Sequence, residues 1–366
     1  MYITVLCKVV DNFGDIGVAW RMCRRLSKIQ NKFKICLVVD DLVSFSKINP
    51  SVDTTKSVQT VEDVEVFLWN DNELCFSEFS KNDGERLEII LECFQCGRPE
   101  WMEQILFEQK LTRTVHIIMI DYLTAEKYAE DFHCLKSLTR SARVQKVNFM
   151  PGFTECTGGL IIDDEWVELP VYNENGDILV FTYENDWAEL AASLNECTAK
   201  RKVLVAQGRG KESMLRALRQ AQSFDKTQGP QIIELPYMSQ TKWDQMMKQC
   251  SVLIIRGEES MSRACLSGIP FIWQAYPQSE EYQLVKVRAL LERMRPHFPP
   301  QDFEVVAKTW LAINGEESFD NAYTNFLLSV PCLVPSFQDF AESLRKNGDL
   351  CANLMTFIKK IAIIYE

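Results

Sequence analysis

Two carboxylates in one short glycine-containing loop are the first groups in this sequence with the makings of chemistry. The run Asp11-Asn12-Phe13-Gly14-Asp15-Ile16-Gly17 follows a β-branched apolar stretch and precedes a helical pattern. Gly14 and Gly17 let the backbone turn tightly. Capping explains one aspartate, because the dipole and open N–H groups of a helix start favour an acid there. Two, Asp11 and Asp15, in one glycine-containing loop are less easily explained by capping and point to a functional role. No Gly-x-Gly-x-x-Gly is present, so the loop is not a dinucleotide fingerprint.

A second loop has the opposite character. In Ile255-Arg256-Gly257-Glu258-Glu259-Ser260 a glycine allows close backbone approach. The amides of Glu258, Glu259 and Ser260 would open a helix and point at an anion. That geometry suits a diphosphate held without a metal. An ordinary helix start capped by Ser260 fits the same spacing. A third run, Gln207-Gly208-Arg209-Gly210-Lys211, lacks both the third glycine of a nucleotide fingerprint and the Gly-Lys-Ser/Thr of a P-loop, and reads as a tight turn. Phe181, Tyr183, Tyr237, Trp273 and Tyr276 cluster near predicted strand ends, where a flat base could stack on a ring. The chain has no Asp-x-Asp, which weakens a metal–diphosphate mechanism, and Asp163-Asp164-Glu165 reads as a solvated turn.

These loops need strands and helices to position them. The first half alternates apolar runs and amphipathic stretches: strands at 2–10, 33–39, 64–69 and 115–120, and helices at 17–29 and 84–96. Strands separated by helices imply a parallel sheet. Between about 148 and 175 turn residues take over, as in Met150–Gly159. The second half repeats the rhythm, with strands at 177–183, 202–206, 231–235, 251–255 and 270–273, helices between them, and helices alone after Ser279. The reading is an N-terminal domain over 1–165, a C-terminal domain over 175–347, and a last helix, 348–366, that could pack back on the first domain.

Composition removes whole classes of function. With 40 Lys and Arg against 51 Asp and Glu, the 366-residue chain carries a formal charge of −11. That disfavours non-specific binding to nucleic acid or anionic lipid. No apolar run approaches the ~18 residues of a membrane span. The start, Met1–Val10, reads as a strand and not a leader. Thirteen cysteines, an odd number, fit free thiols in the cytoplasm. The one Cys-x-x-Cys, Cys93–Cys96, reads as two small apolar residues on the 84–96 helix. With three histidines in the chain, neither a zinc site nor a histidine triad is expected.

Three blocks in order resemble a known family. Asp11–Gly17 followed by Val18-Ala19-Trp20-Arg21 resembles the N-terminal signature of the bacterial protein-arginine rhamnosyltransferases that modify elongation factor P. Pro151–Gly159 resembles their mid-chain segment. Arg256–Ser260 with Arg263-Ala264, then Gly268–Trp273 and Tyr276-Pro277-Gln278, resembles their donor-site run, although the family usually has Glu-Asp-Ser where this chain has Glu258-Glu259-Ser260. The resemblance implies an α/β GT-B fold: two Rossmann-like domains facing a central cleft, with the donor nucleotide in the C-terminal one. It implies dTDP-β-L-rhamnose as donor, one arginine of elongation factor P as acceptor, inversion at the sugar, and neither metal nor other cofactor. Carried over by position, Asp11 and Asp15 match catalytic aspartates and Glu258 an essential glutamate. Asn12, Phe13, Gly14, Arg256, Gly257, Glu259 and Ser260 fall at donor contacts, with Phe181, Tyr183, Tyr237 and Gln278 near the nucleotide. Two other readings remain open on the residues alone: a GT-B transferase or sugar-nucleotide enzyme with another acceptor, or a protein-binding module with a vestigial nucleotide pocket.

Overall fold

The computed structural model describes residues 1–10, 13–29, 33–198, 201–224, 229–316 and 320–363. Asp11 and Asn12 therefore lie outside the described residues. The chain divides into two compact units, Met1–Asp164 with Asn347–Glu366, and Glu165–Lys346.

Among the described residues the first unit is built on eight strands: β1 (Tyr2–Cys7), β2 (Lys34–Val39), β3 (Val58–Val61), β4 (Val64–Leu68), β5 (Ile89–Cys93), β6 (Val115–Ile120), β7 (Lys136–Ser137) and β8 (Val144–Asn148). Their order is β3-β4-β2-β1-β5-β6-β8-β7. β3 and β7 run antiparallel to their neighbours β4 and β8, and the other pairings are parallel. Alternate side chains of the central strands fill two cores. On one face, the Gly14–Ile29 helix (Ile16, Trp20) and the C-terminal Leu350–Ile363 helix (Leu354, Ile358) cover Ile3 and Val5. On the other, Phe79 and Trp101 cover Leu6 and Ile90.

One predicted helix is a strand. The 84–96 stretch, expected to be helical, contains β5, which pairs with both β1 and β6. A strand buried on both faces is a continuous apolar run, so periodicity alone does not separate it from a helix. Cys93 is thus a buried strand residue and Cys96 lies in the turn beyond it.

The acidic turn at 163–165 also differs from expectation. Arg21, itself buried, pairs with Asp163, while Arg25 and Lys28 on the same helix pair with Asp164 at 2.9 and 2.8 Å. Arg25 also meets Asp349, whose other oxygen accepts from the Ile162 N–H. The turn is anchored because its partners lie some 140 residues away, on a helix whose basic face the local sequence does not connect to it.

Among the described residues the second unit holds five parallel strands, β9 (Asp177–Val180), β10 (Lys202–Val205), β11 (Gln231–Glu234), β12 (Cys250–Arg256) and β13 (Phe271–Gln274), in the order β11-β10-β9-β12-β13. After β13 the elements formed by the described residues are helices. Among the described residues, no helix is long and apolar enough to cross a membrane.

Candidate active site

Open parallel sheets bind ligands beyond the carboxyl ends of their strands, where the order reverses. In the first unit that point falls between β1 and β5. In the second it falls between β9 and β12. The two loops singled out above follow β1 and β12.

In the first unit, Asp15 occupies the first turn of the Gly14–Ile29 helix and is 3% exposed. It does more than complement the helix dipole. Its Oδ2 accepts from the Val10 N–H at 2.9 Å, reaching back across its own loop. The preceding amide is tied as well: Val9 N–H donates to Asp40 Oδ1 at 2.8 Å. Two consecutive amides are thus satisfied by side chains from two different places in the unit, and the Cys96 thiol donates to Leu6 O at 3.5 Å nearby. The Asp15 charge is also felt by Cys7, whose thiol is pushed well up, by burial first and by Asp15 next. Gly17 N–H donates to Phe13 O at 2.9 Å, so Phe13 and Gly14 form the helix entry. Of the residues predicted here, Phe13, Gly14 and Asp15 come together. Sequence reasoning missed Asp40, a plain strand-end acid, and Cys96, hidden by the mistaken helix.

The second unit places most of its predicted residues along one edge of its sheet. Gly257, with φ +69° and ψ 171°, precedes the Glu258–Ser267 helix. A side chain there would meet only Tyr183 Oη, at 3.5 Å, so torsion and not space calls for glycine. The first turn closes with Met261 N–H donating to Gly257 O, which leaves the amides of Glu258, Glu259 and Ser260 as the opening donors of the helix. Ser260 is the third helical residue, so it is not the cap. Glu258 pairs with Lys286 at 3.2 Å, a partner the sequence did not suggest. Glu259 faces Arg263 at 4.0 Å.

Arg256 is the electrostatic centre of this edge. Its guanidinium lies 4.4 Å from the Phe181 ring centre and 4.3 Å from that of Tyr183. Desolvated contacts of this kind are worth about 2 kcal/mol. The Arg256 Nε is buried and has no hydrogen-bond partner among the described residues. A buried donor without an acceptor next to a row of helix-opening amides is a place suited to an anion. Two of the five rings expected near a base, Phe181 and Tyr183, thus carry this cation on one face. Phe181 also meets Trp243 edge-on, and Tyr183 meets Tyr276. Tyr237 keeps 51% of its surface exposed, and Gln278 is exposed with its N–H donating to Gln283. The Gln207–Lys211 turn packs beneath: a side chain at Gly210 would strike the Thr182 and Tyr183 carbonyls at 2.5 and 2.4 Å. Gln274, buried, accepts from Tyr183 N–H at 2.7 Å, and Trp273 Nε1 donates to Gly257 O at 3.1 Å. Nothing in its local sequence marks Gln274 as a brace for the loop after β9.

A family model described as elongation factor P (EF-P) rhamnosyltransferase EarP matches residues 3–172 and 167–359. The chain is 30% identical over 381 residues to a protein-arginine rhamnosyltransferase of Pseudomonas aeruginosa, covering 96% of this chain and 97% of that protein. A protein-arginine rhamnosyltransferase of Shewanella oneidensis is 28% identical over 401 residues, covering 97% of each. A solved structure from work on EarP-mediated arginine glycosylation of translation elongation factor EF-P aligns over 98% of this chain and 99% of that one, with TM-score 0.62 and 18% identity. A UGT transferase of Siraitia grosvenorii in complex with UDP aligns over 99% of both chains, with TM-score 0.55 and 9% identity. The two α/β units are those of a GT-B glycosyltransferase.

Proposed function

The chain belongs to the EarP family of elongation factor P rhamnosyltransferases, and from that premise we propose that it moves L-rhamnose from dTDP-β-L-rhamnose to one arginine of elongation factor P. The transfer inverts the anomeric carbon and needs no metal. An elongation-factor acceptor implies work in the cytoplasm. The observation that carries this reading is the contrast between the switch-point loops: one gathers a buried carboxylate, the other a cation and helix-opening amides.

An arginine is a poor nucleophile because its guanidinium stays protonated, with pKa above ~12, and its charge is delocalised. A carboxylate of ordinary basicity does not deprotonate it at rest. In the proposed reaction Asp15, with Asp11, holds the guanidinium through charge-assisted hydrogen bonds. As the nitrogen bonds to the anomeric carbon it becomes far more acidic, and Asp15 takes its proton while the carbon–oxygen bond to dTDP breaks. The leaving diphosphate gains charge. The amides at Glu258–Ser260, with Arg256, meet that charge where it develops. Glu258 repels phosphate and pairs with Lys286, so its part is to anchor the loop or meet sugar hydroxyls.

Mass spectrometry of elongation factor P, incubated with enzyme and dTDP-rhamnose in EDTA, tests the proposal. The expected result is one rhamnose increment on one arginine. An unmodified factor beside a donor that is consumed would point to another acceptor. A chain that neither consumes nor binds the donor would point to a non-enzymatic module.

A further inference from the structure

The turn after β5 and the segment after β6 carry features that the loop chemistry above does not use. Both lie at the carboxyl edge of the first sheet, β5 beside β1 and β6 beside β5. Phe94 and Gln95 adopt φ of 55° and 54°, and Gly97 follows at 70°. Left-handed backbone is uncommon outside glycine and strained there, so the surrounding contacts must hold it. The turn is held by Phe94 N–H donating to Ile120 O at 2.7 Å and by the Cys96 thiol against Leu6 O at 3.5 Å. Its effect is to lay the Phe94 ring on the Tyr122 ring, with centres 4.8 Å apart and planes at 26°. It also brings the Gln95 side-chain amide to Asp121 Oδ2 at 3.0 Å.

Asp121 is the telling residue. Each of its oxygens accepts one hydrogen bond, Oδ1 from Tyr122 N–H at 2.8 Å and Oδ2 from Gln95. About half of a carboxylate's four acceptor positions are then unused. Both donors are neutral, and among the described residues no Lys or Arg pairs with Asp121. Other acids of this unit are neutralised: Glu65 by Arg86, Glu92 and Glu103 by Arg98, Asp163 by Arg21. An uncompensated carboxylate next to a stacked aromatic pair matches one kind of group well. A guanidinium is planar, cationic, and both stacks on rings and donates in a fork.

We propose that Phe94, Tyr122 and Asp121 form the receiving site for the acceptor guanidinium, with the stacked rings as a shelf and Asp121 as the anchor. The proposal rests on the arginine-acceptor reading of the preceding section. Tyr122 is 39% exposed, so the shelf is reachable from solvent. In this arrangement Asp15 acts on the nitrogen that attacks, whereas Asp121 and the rings fix which way the plane faces. They are positioning residues, and they select arginine over lysine, whose ammonium neither stacks as a plane nor donates as a fork.

The test titrates N-acetyl-argininamide and N-acetyl-lysinamide against the whole enzyme and against Asp121→Asn, Tyr122→Ala and Tyr122→Phe. It also measures KM and kcat for elongation factor P at saturating dTDP-rhamnose. The wild-type chain is expected to prefer the arginine probe by about tenfold, the scale of one desolvated cation contact. Asp121→Asn and Tyr122→Ala lose that preference and raise KM for the acceptor more than they lower kcat. Tyr122→Phe, which keeps the ring, retains the preference, and dTDP affinity is the same in all four. No arginine preference in the wild type, or a preference that survives both Asp121→Asn and Tyr122→Ala, overturns the site. A preference lost on mutation in a chain that transfers no rhamnose overturns the preceding section and leaves this one standing.

Discussion

After β1 two consecutive backbone donors go to side chains of the same unit, and after β12 three consecutive amides open a helix. Val9 and Val10 donate to Asp40 and Asp15, so the first loop is a tied-down carrier of carboxylate. The second loop inserts one glycine of unusual torsion, opens a helix with three amides, and flanks them with an arginine wedged against two rings. The two stations are equivalent in topology, each at the point where its sheet reverses order. They differ in which charge they are finished to receive. In the proposed reaction the same strand–turn–helix unit serves a cationic nucleophile at one place and an anionic leaving group at the other, with the difference made by a few side chains and one φ angle.

The largest expected effect separates the stations by function. Asp15→Asn keeps a group able to accept from Val10 but removes the proposed base. Turnover is expected to fall about a hundredfold to ten-thousandfold, the span of lost general-base catalysis. Calorimetric dTDP affinity stays as in the wild type. Normal turnover in that variant would erase the contrast between the loops. The converse change is Gly257→Ala. The site has room for the methyl group, so the cost comes from a backbone region almost reserved for glycine, about 1–3 kcal/mol. If the amides hold the diphosphate only in this torsion, dTDP affinity falls roughly tenfold, on the scale of 1.4 kcal/mol per decade. Normal dTDP binding by the Gly257→Ala enzyme would show that the amides are not the donor grip.

How far this was legible in the residues follows from the range of the interactions. Gly14 with Asp15, and Gly257 with Glu258, announce helix starts because every determinant lies within five residues. The alternation of apolar runs with amphipathic stretches announces two parallel-sheet units for the same reason. The failures are long-range. Leu87, Ile90, Leu91 and Phe94 recur at three- and four-residue spacing and imitate a helical stripe, yet Ile89–Cys93 is a strand, because β1 and β6 are there to bury both its faces. That one error concealed the second strand of the switch point, the Cys96 tie and the Phe94–Gln95 turn together. In the second unit the aromatics near strand ends were visible in the sequence. Their occupant was not, because Arg256 reaches Phe181 and Tyr183 across some 75 residues of chain.

The smallest effect tests whether tying the first loop matters beyond holding Asp15. Asp40 sits at the end of β2 and touches the loop through one bond, Val9 N–H to Oδ1 at 2.8 Å. Asp40→Asn leaves an acceptor of nearly the same shape and removes the negative charge. Asp40→Ala removes the acceptor and leaves Val9 N–H to water. A neutral bond is worth about 0.5–1.5 kcal/mol and a charge-assisted one somewhat more. If the tie works by geometry, Asp40→Asn is close to wild type, and Asp40→Ala lowers kcat several-fold without changing dTDP affinity. If Asp40 works by charge, as another negative group drawing the guanidinium in, the two variants fall together and KM for the acceptor rises in both. The first pattern means that the β1 loop spends its amides to hold one carboxylate still. The second means that the whole edge, from Asp40 through Asp15 to Asp121, is finished as a single field for a cation, and the contrast with the β12 loop is then between two surfaces and not merely between two turns.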